Sequence, residues 1–180
     1  GGKYTTYRVM GKDVVDRAVI ELRKLTQESV TEKLPLVGAD GYFALEQQKE
    51  RIAQESGLDV ETVTHLLNRH GSLISEILEI IEEQPKLAAK LDANLPYIKA
   101  EIVYATSHEG ARSVDDVISR RTRLSFEAVS HGVHLADEVA ALIAPVLGWS
   151  AKERKESIAQ YVELVEREIA ALDELLEVNS

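Results

Sequence analysis

The polar residues with the most ordered spacing lie within 95–127, LPYIKAEIVYATSHEGARSVDDVISRRTRLSFE, the densest polar stretch of the chain. A helix from residue 97 to about 108 puts Ile98, Ile102 and Ala105 on one face. It puts Tyr97, Glu101, Tyr104 and His108 on a second stripe, because residues three and four apart share a helix face. One face is apolar and the other is a line of hydrogen-bonding groups. Ser113 and Asp116 have the spacing of a capping box for a short helix, with Asp in place of the usual Glu or Gln. Arg120, Arg121 and Arg123 close the stretch, and their expected partners are Glu101, Glu109, Asp115 or Asp116, or a neighbouring domain. With Arg112 these residues form a structural or interface cluster rather than a catalytic set.

A second candidate is the amino end, Gly1-Gly2-Lys3-Tyr4-Thr5-Thr6-Tyr7-Arg8. Apolar residues follow at Tyr7, Met10, Val14, Val15, Ala18, Val19, Leu22 and Leu25, which is a helical period. A Gly-Gly turn thus leads into a long helix with Thr5 or Thr6 as its natural N-cap, and Lys3 beside the first-turn amides makes a compact anion-seeking site. A plain loop or an expression remnant would give the same letters.

Other chemistry is thinly represented. His131 and His134 with Asp137 or Glu138 could frame a metal, but Gly132 weakens the helix between them and no longer ligand pattern exists, so no metal is expected. His65, His70 and His108 are scattered, and no nucleophile is paired with a base and an orienting acid. No catalytic residue is expected within the chain.

These residues need elements to hold them, and the pattern supplies helices alone. Residues 42–55 end at Gly57, Asp59 caps 60–69, and Ser72 caps 73–83 ahead of Pro85. Residues 124–147 form one helix or two with a break near Gly132 and close at Gly148. Ser150 and Glu153 cap a long final helix whose buried stripe is Ile158, Tyr161, Val162, Val165, Ile169, Leu172 and Leu176. The fold class is all-α: a compact multi-helix domain of short helices with a long N-terminal and a long C-terminal helix. The aperiodic stretch 26–41 carries Pro35, Gly38 and Gly41, which divides the chain into 1–30 and 31–180.

Composition narrows the function. The 180 residues, 44% of them hydrophobic, can bury a core. A formal net charge of -10 argues against non-specific attraction to nucleic acid or an anionic membrane, so any anion site must be local. Residues 56–81 could pass for a helix-turn-helix, but Glu residues outnumber Lys49, Arg51 and Arg69 around it, so DNA is not an expected partner. The absence of Cys fits a reducing compartment. No apolar run nears a membrane span, and with no signal peptide and no initiator Met the chain reads as an excised piece.

GGKYTTYR at the amino end and EIVYATSHEGARSVDDVISRRTRL at 101–124 together resemble the C-terminal part of the aerobic, FAD-dependent glycerol-3-phosphate dehydrogenases. The resemblance covers most of the chain, and the central block is its most specific part. Thr106 and Ser107 stand where the family more often shows an aliphatic residue and an Arg. It implies a parent enzyme in which a large N-terminal portion, built on a GxGxxG dinucleotide fold, holds FAD and substrate. That parent oxidises sn-glycerol 3-phosphate to dihydroxyacetone phosphate and passes electrons to a quinone. Residues 1–30 would then be the last helix of the catalytic region, and 31–180 the C-terminal helical domain.

Carried over residue by residue, the flavin-facing positions are Gly2, Lys3, Tyr4, Thr5 and Thr6, and Lys3 and Arg8 are substrate candidates. The piece itself is expected to bind no FAD and to be inactive, its partners being the parent's FAD domain and, through it, glycerol 3-phosphate and quinone. An oligomer is open, as is an autonomous interaction module in which the Arg cluster docks an acidic partner. The expected location is cytoplasmic, with the parent peripheral on the cytoplasmic face of the membrane.

Overall fold

Glycines and short polar caps set the boundaries of the elements. The computed structural model describes residues 3–22 and 27–178, with 173–178 described by backbone. A 3-10 turn, Tyr4–Thr6, leads into α1, Tyr7–Glu21. There follow α2 (Tyr42–Glu46), α3 (Lys49–Ser56), α4 (Val60–His70), α5 (Ile74–Glu83) and α6 (Lys99–Ser107). A π-helical segment, Asp116–Arg121, precedes α7 (Leu124–Glu127), α8 (Ala136–Leu147) and α9 (Ala151–Val178). Among the described residues the extended pairing is one isolated antiparallel bridge, Lys90 to Ile98, which closes the loop before α6. The chain divides into two compact units, Gly1–Asp40 and Gly41–Ser180.

In the first unit no described residue is buried. The apolar period along α1 is real but lies open: Tyr7, Val14, Val15 and Leu22 are exposed, as are Leu34, Leu36 and Val37 beyond it. Thr6 takes the N-cap position of α1 without a side-chain capping bond, and its hydroxyl donates back to the Lys3 carbonyl at 3.3 Å. Leu25, assigned to the same period, lies outside the described residues, as do Gly1 and Gly2.

The second unit holds two cores with α6 between them. Ile102 and Ala105 of α6 join Val117, Ile118, Leu124, Val139, Ile143 and Tyr161 in one core. Ile98, Ala100 and Tyr104 join Val63, Leu66, Leu67, Ile74 and Ile77 in the other. The expected polar stripe is therefore not a surface line, since a helix packed on two sides must bury both faces. Tyr97, Glu101 and Tyr104 are each 2% exposed or less. The helix also starts later than its pattern suggests. Tyr97 and Ile98 lie in the extended bridge, with Leu91 N–H bonded to the Tyr97 carbonyl at 2.9 Å, and Glu101 caps the helix by accepting the Ile98 N–H at 2.9 Å.

Several boundaries differ in the same local way. Residues 42–55 form two helices, because Gln48 leaves the helical region (φ -108°, ψ 10°) and lets α2 and α3 each dock on α4. Asp59 caps α4 as expected, accepting the Thr62 N–H at 2.6 Å. Ser72 does not cap α5: it lies in a 3-10 turn, Gly71–Leu73, and α5 begins at Ile74. Ser150 and Glu153 do form their capping box, with the Ser150 N–H donating to Glu153 at 2.7 Å.

The break near Gly132 is a left-handed turn in which Ser130, His131 and Gly132 have φ of 50°, 54° and 71°. A Cβ on Gly132 would meet Ile118 Cγ2 at 3.4 Å and the Leu124 carbonyl oxygen at 3.5 Å, which is ordinary contact, so it is the left-handed backbone that favours glycine there. On α9 the buried stripe is shorter than expected. Tyr161 and Val165 are buried, but Ile169 and Leu172 are 40% and 55% exposed because the helix has run past the core; the Leu176 side chain lies outside the described residues.

Candidate functional site

Two places gather the residues singled out by the sequence. The first is the amino edge of the first unit. Lys3, Tyr4, Thr5 and Thr6 are all exposed, and Arg8 is partly exposed on the first turn of α1. Tyr4 and Tyr7 rings lie 6.0 Å apart. Neither the 3-10 turn nor α1 has an acidic residue in its first turn, and among the described residues Lys3 is in no ion pair. The amide end of a helix carries partial positive charge, so this edge combines that end, an uncompensated ammonium and two threonine hydroxyls. Gly2 lies outside the described residues.

The second is the buried polar centre around Glu101, built by α4 and α6. His65, Arg69 and His70 recur on α4 at four- and five-residue steps and turn toward α6. Glu101 Oε1 meets His65 Nε2 at 2.9 Å and His70 Nε2 at 3.3 Å, and Arg69 Nε lies 3.8 Å away. Burial pushes the Glu101 carboxyl up, but the hydrogen bonds from His65, His70 and the Ile98 N–H outweigh it and hold the group below its ordinary value. Both carboxylate oxygens are thus committed, so Glu101 is a structural anion and not a free base.

The rest of the cluster wraps around this centre. Tyr97 donates its hydroxyl to Glu127 and accepts the Arg123 N–H, each at 3.1 Å. Tyr104 donates to Glu76 at 2.7 Å, meets His70 edge-on and stacks on His108 with ring centroids 4.7 Å apart. Burial and the Glu76 carboxylate both push the Tyr104 hydroxyl up. Arg120 pairs with Asp115 and Asp116, whereas Arg121 donates to the Glu109 carbonyl at 2.8 Å. The Arg112 N–H donates to Asp116 at 3.0 Å, and the Asp116 N–H to the Ser113 hydroxyl at 3.0 Å. That is a capping box whose carboxylate reaches one residue further back than usual.

The structure therefore brings Tyr97, Glu101, Tyr104 and His108 into one hydrogen-bonded neighbourhood, with Arg121 and Arg123 at its edge. It places Arg112 and Arg120 on the exposed side. His65, Arg69, His70, Glu76 and Glu127 belong to the same neighbourhood, and the sequence reading missed them. The available signal was on α4, where three basic or imidazole groups share a helix with buried Val63, Leu66 and Leu67. His131 and His134 do not converge: His131 donates to the Ser125 carbonyl, while His134 faces Asp92 at 3.3 Å. Among the described residues no group of three His, Asp or Glu side chains could hold a metal ion.

Comparison with known proteins adds a family. A family described as the C-terminal domain of alpha-glycerophosphate oxidase matches residues 29–154. Glycerol-3-phosphate dehydrogenase 2 of Mycobacterium tuberculosis is 45% identical over 169 residues, covering 94% of this chain and 29% of the relative. Glycerol-3-phosphate dehydrogenase of Synechocystis sp. is 29% identical over 93% of this chain and 30% of its own length. The mitochondrial glycerol-3-phosphate dehydrogenase SDP6 of Arabidopsis thaliana is 31% identical over 92% of this chain and 28% of its own length. The chain thus spans less than a third of the length of these relatives. No solved structure matches it.

Proposed function

The chain belongs to the family of the C-terminal domain of alpha-glycerophosphate oxidase, and from that membership we propose that it serves as the C-terminal helical domain of an FAD-dependent glycerol-3-phosphate dehydrogenase. The whole enzyme oxidises sn-glycerol 3-phosphate to dihydroxyacetone phosphate and delivers electrons to a quinone, working peripherally on the cytoplasmic face of a membrane. Among the described residues no helix is long and apolar enough to cross a membrane. The helical domain, residues 31–180, is accessory, and residues 1–30 belong against the part of the enzyme that holds cofactor and substrate.

One observation carries this reading: the described apolar side chains of the first unit bury nothing, where the second unit encloses two cores. Tyr4, Tyr7, Val14, Val15 and Leu22 are between 57% and 88% exposed, and an apolar surface of that extent marks a contact with another surface. The amino edge also fits a flavin. Lys3, Thr5 and Thr6 offer donors and positive charge, and the first turns hold no carboxylate that would oppose an electron-rich ring. Bound there, FAD would supply the acceptor for the hydride leaving the substrate carbinol carbon. This chain contributes an ammonium and a helix amide end that stabilise the negative charge developing during that transfer. Arg8, on the same side of the sequence motif, is the candidate for the substrate phosphate, alone or with Lys3.

Purification of the 180-residue chain tests the accessory role. It should carry no yellow flavin and show no dye-linked oxidation of glycerol 3-phosphate, and either one would overturn it.

A further inference from the structure

The groove that runs along Tyr97 has no part in the reading above. His65, Asn68 and Arg69 reach it from α4, Pro96 and Tyr97 from the loop before α6, and Arg123 and Glu127 from the chain around α7. Its volume, about 450 Å³, lies at the small end of sites for small molecules.

The Tyr97 ring organises both walls. The Arg69 guanidinium lies 5.3 Å from the ring centroid, and His65 meets the ring edge-on at 4.9 Å. Arg69 is fixed further by donating to the Arg121 carbonyl at 2.7 Å, yet its side chain stays 24% exposed. On the other wall the Tyr97 hydroxyl holds the Arg123 backbone and the Glu127 carboxylate together. Asn68 turns its carbonyl oxygen to the Tyr42 hydroxyl at 2.9 Å, which leaves its NH2 as a donor.

The charge balance makes this place unusual. Residues 41–180 hold fourteen Lys and Arg against twenty-five Asp and Glu, so most of the surface repels anions. Here two guanidinium-bearing residues meet, and among the described residues Arg123 is in no ion pair. Arg69 faces Glu101 at 3.8 Å without a hydrogen bond from its Nε. Glu101 itself is committed to His65, His70 and the Ile98 N–H. The Arg69 Nε is buried and its Nη2 is taken by the Arg121 carbonyl, so the partly exposed guanidinium offers the groove its remaining N–H groups, and a guanidinium held in place on an aromatic ring is preorganised for an oxyanion. Glu127 can only accept, so the opposite end of the groove suits a hydroxyl.

We infer that this groove binds a small hydroxylated phosphate, its oxyanion held by Arg69 and Arg123 and its hydroxyl donating to Glu127. The site lies wholly within the second unit, Gly41–Ser180, and uses none of the amino-edge residues.

Calorimetric titration of the 180-residue chain with inorganic phosphate, glycerol 3-phosphate and glycerol tests the site and distinguishes a free phosphate from an ester. Both phosphates should bind, the ester several-fold tighter, and glycerol should not bind. Arg123→Gln should weaken both phosphates by about tenfold or more, with the helical circular dichroism unchanged. Glu127→Ala should abolish the ester's advantage. Arg51→Gln, at an exposed position of α3 paired with Glu55 at 3.7 Å, should behave as the parent chain. No heat with either phosphate at millimolar concentration, or undiminished affinity in a folded Arg123→Gln chain, overturns the site. Equal affinity for the two phosphates overturns the hydroxyl contact. Binding is read here without turnover, so failure would leave the dehydrogenase proposal standing, and failure of that proposal would leave this site standing.

Discussion

The two units of this chain use the same kind of helix for opposite ends. In the first, α1 repeats apolar residues at a helical period, yet none of its described side chains is buried. In the second, α6 mixes Tyr, Glu and Thr with Ile and Ala and is buried on nearly every side. Polar groups can sit in a core when each has a partner there, and apolar side chains can lie open along a helix when their partner is another surface. Burial follows what is available to pack against, and the pattern along one helix does not report that.

Four substitutions or titrations bear on the contrast. The largest effect should come from Glu101→Ala, which leaves His65 and Arg69 facing a gap and the Ile98 N–H unsatisfied. A loss of about 3–5 kcal/mol is expected, measured by denaturant unfolding; a loss below about 1 kcal/mol would mean the centre is not structural. Gly132→Ala should cost about 1–3 kcal/mol, because it puts a Cβ on left-handed backbone. Wild-type behaviour there would deny the tight turn.

A smaller effect concerns pH. The folded Glu101 carboxyl titrates below its ordinary 4.5, so its contribution is complete above that value and is lost as pH falls through the folded pKa. Glu101→Gln should flatten the acid limb of the stability profile, and an unchanged acid limb would remove Glu101 from the account. Least of all, Val15→Ser on α1 should change the stability of the 180-residue chain by no more than about 0.5 kcal/mol, since Val15 is 60% exposed. In the longer enzyme the same change should cost roughly 1–3 kcal/mol, and equal effects in both would deny that α1 is covered there.

Much of this was legible in the sequence because it is local. Asp59 and the Ser150–Glu153 pair announce their helix starts through the spacing that capping needs, and Gly57 and Gly148 mark ends at positive φ. The Gly132 break was visible for the same reason. What stayed hidden was long-range. Glu101 meets His65 and His70 from 36 and 31 residues away, and a single helix pattern says nothing of a second core on its far side. Ile169 and Leu172 continue a period that the core has already outrun. The amino edge is different again: its motif is recognisable, but the flavin role proposed for it rests on contacts within the longer enzyme.

The central claim is that Lys3 belongs to a flavin site completed by the rest of the longer enzyme. Its most direct test is rapid-mixing measurement of flavin reduction by glycerol 3-phosphate in that enzyme carrying Lys3→Met. The account predicts reduction slowed by roughly a hundredfold, with flavin still bound and the helical circular dichroism intact. Reduction at the unaltered rate in a folded, flavin-loaded variant would contradict it.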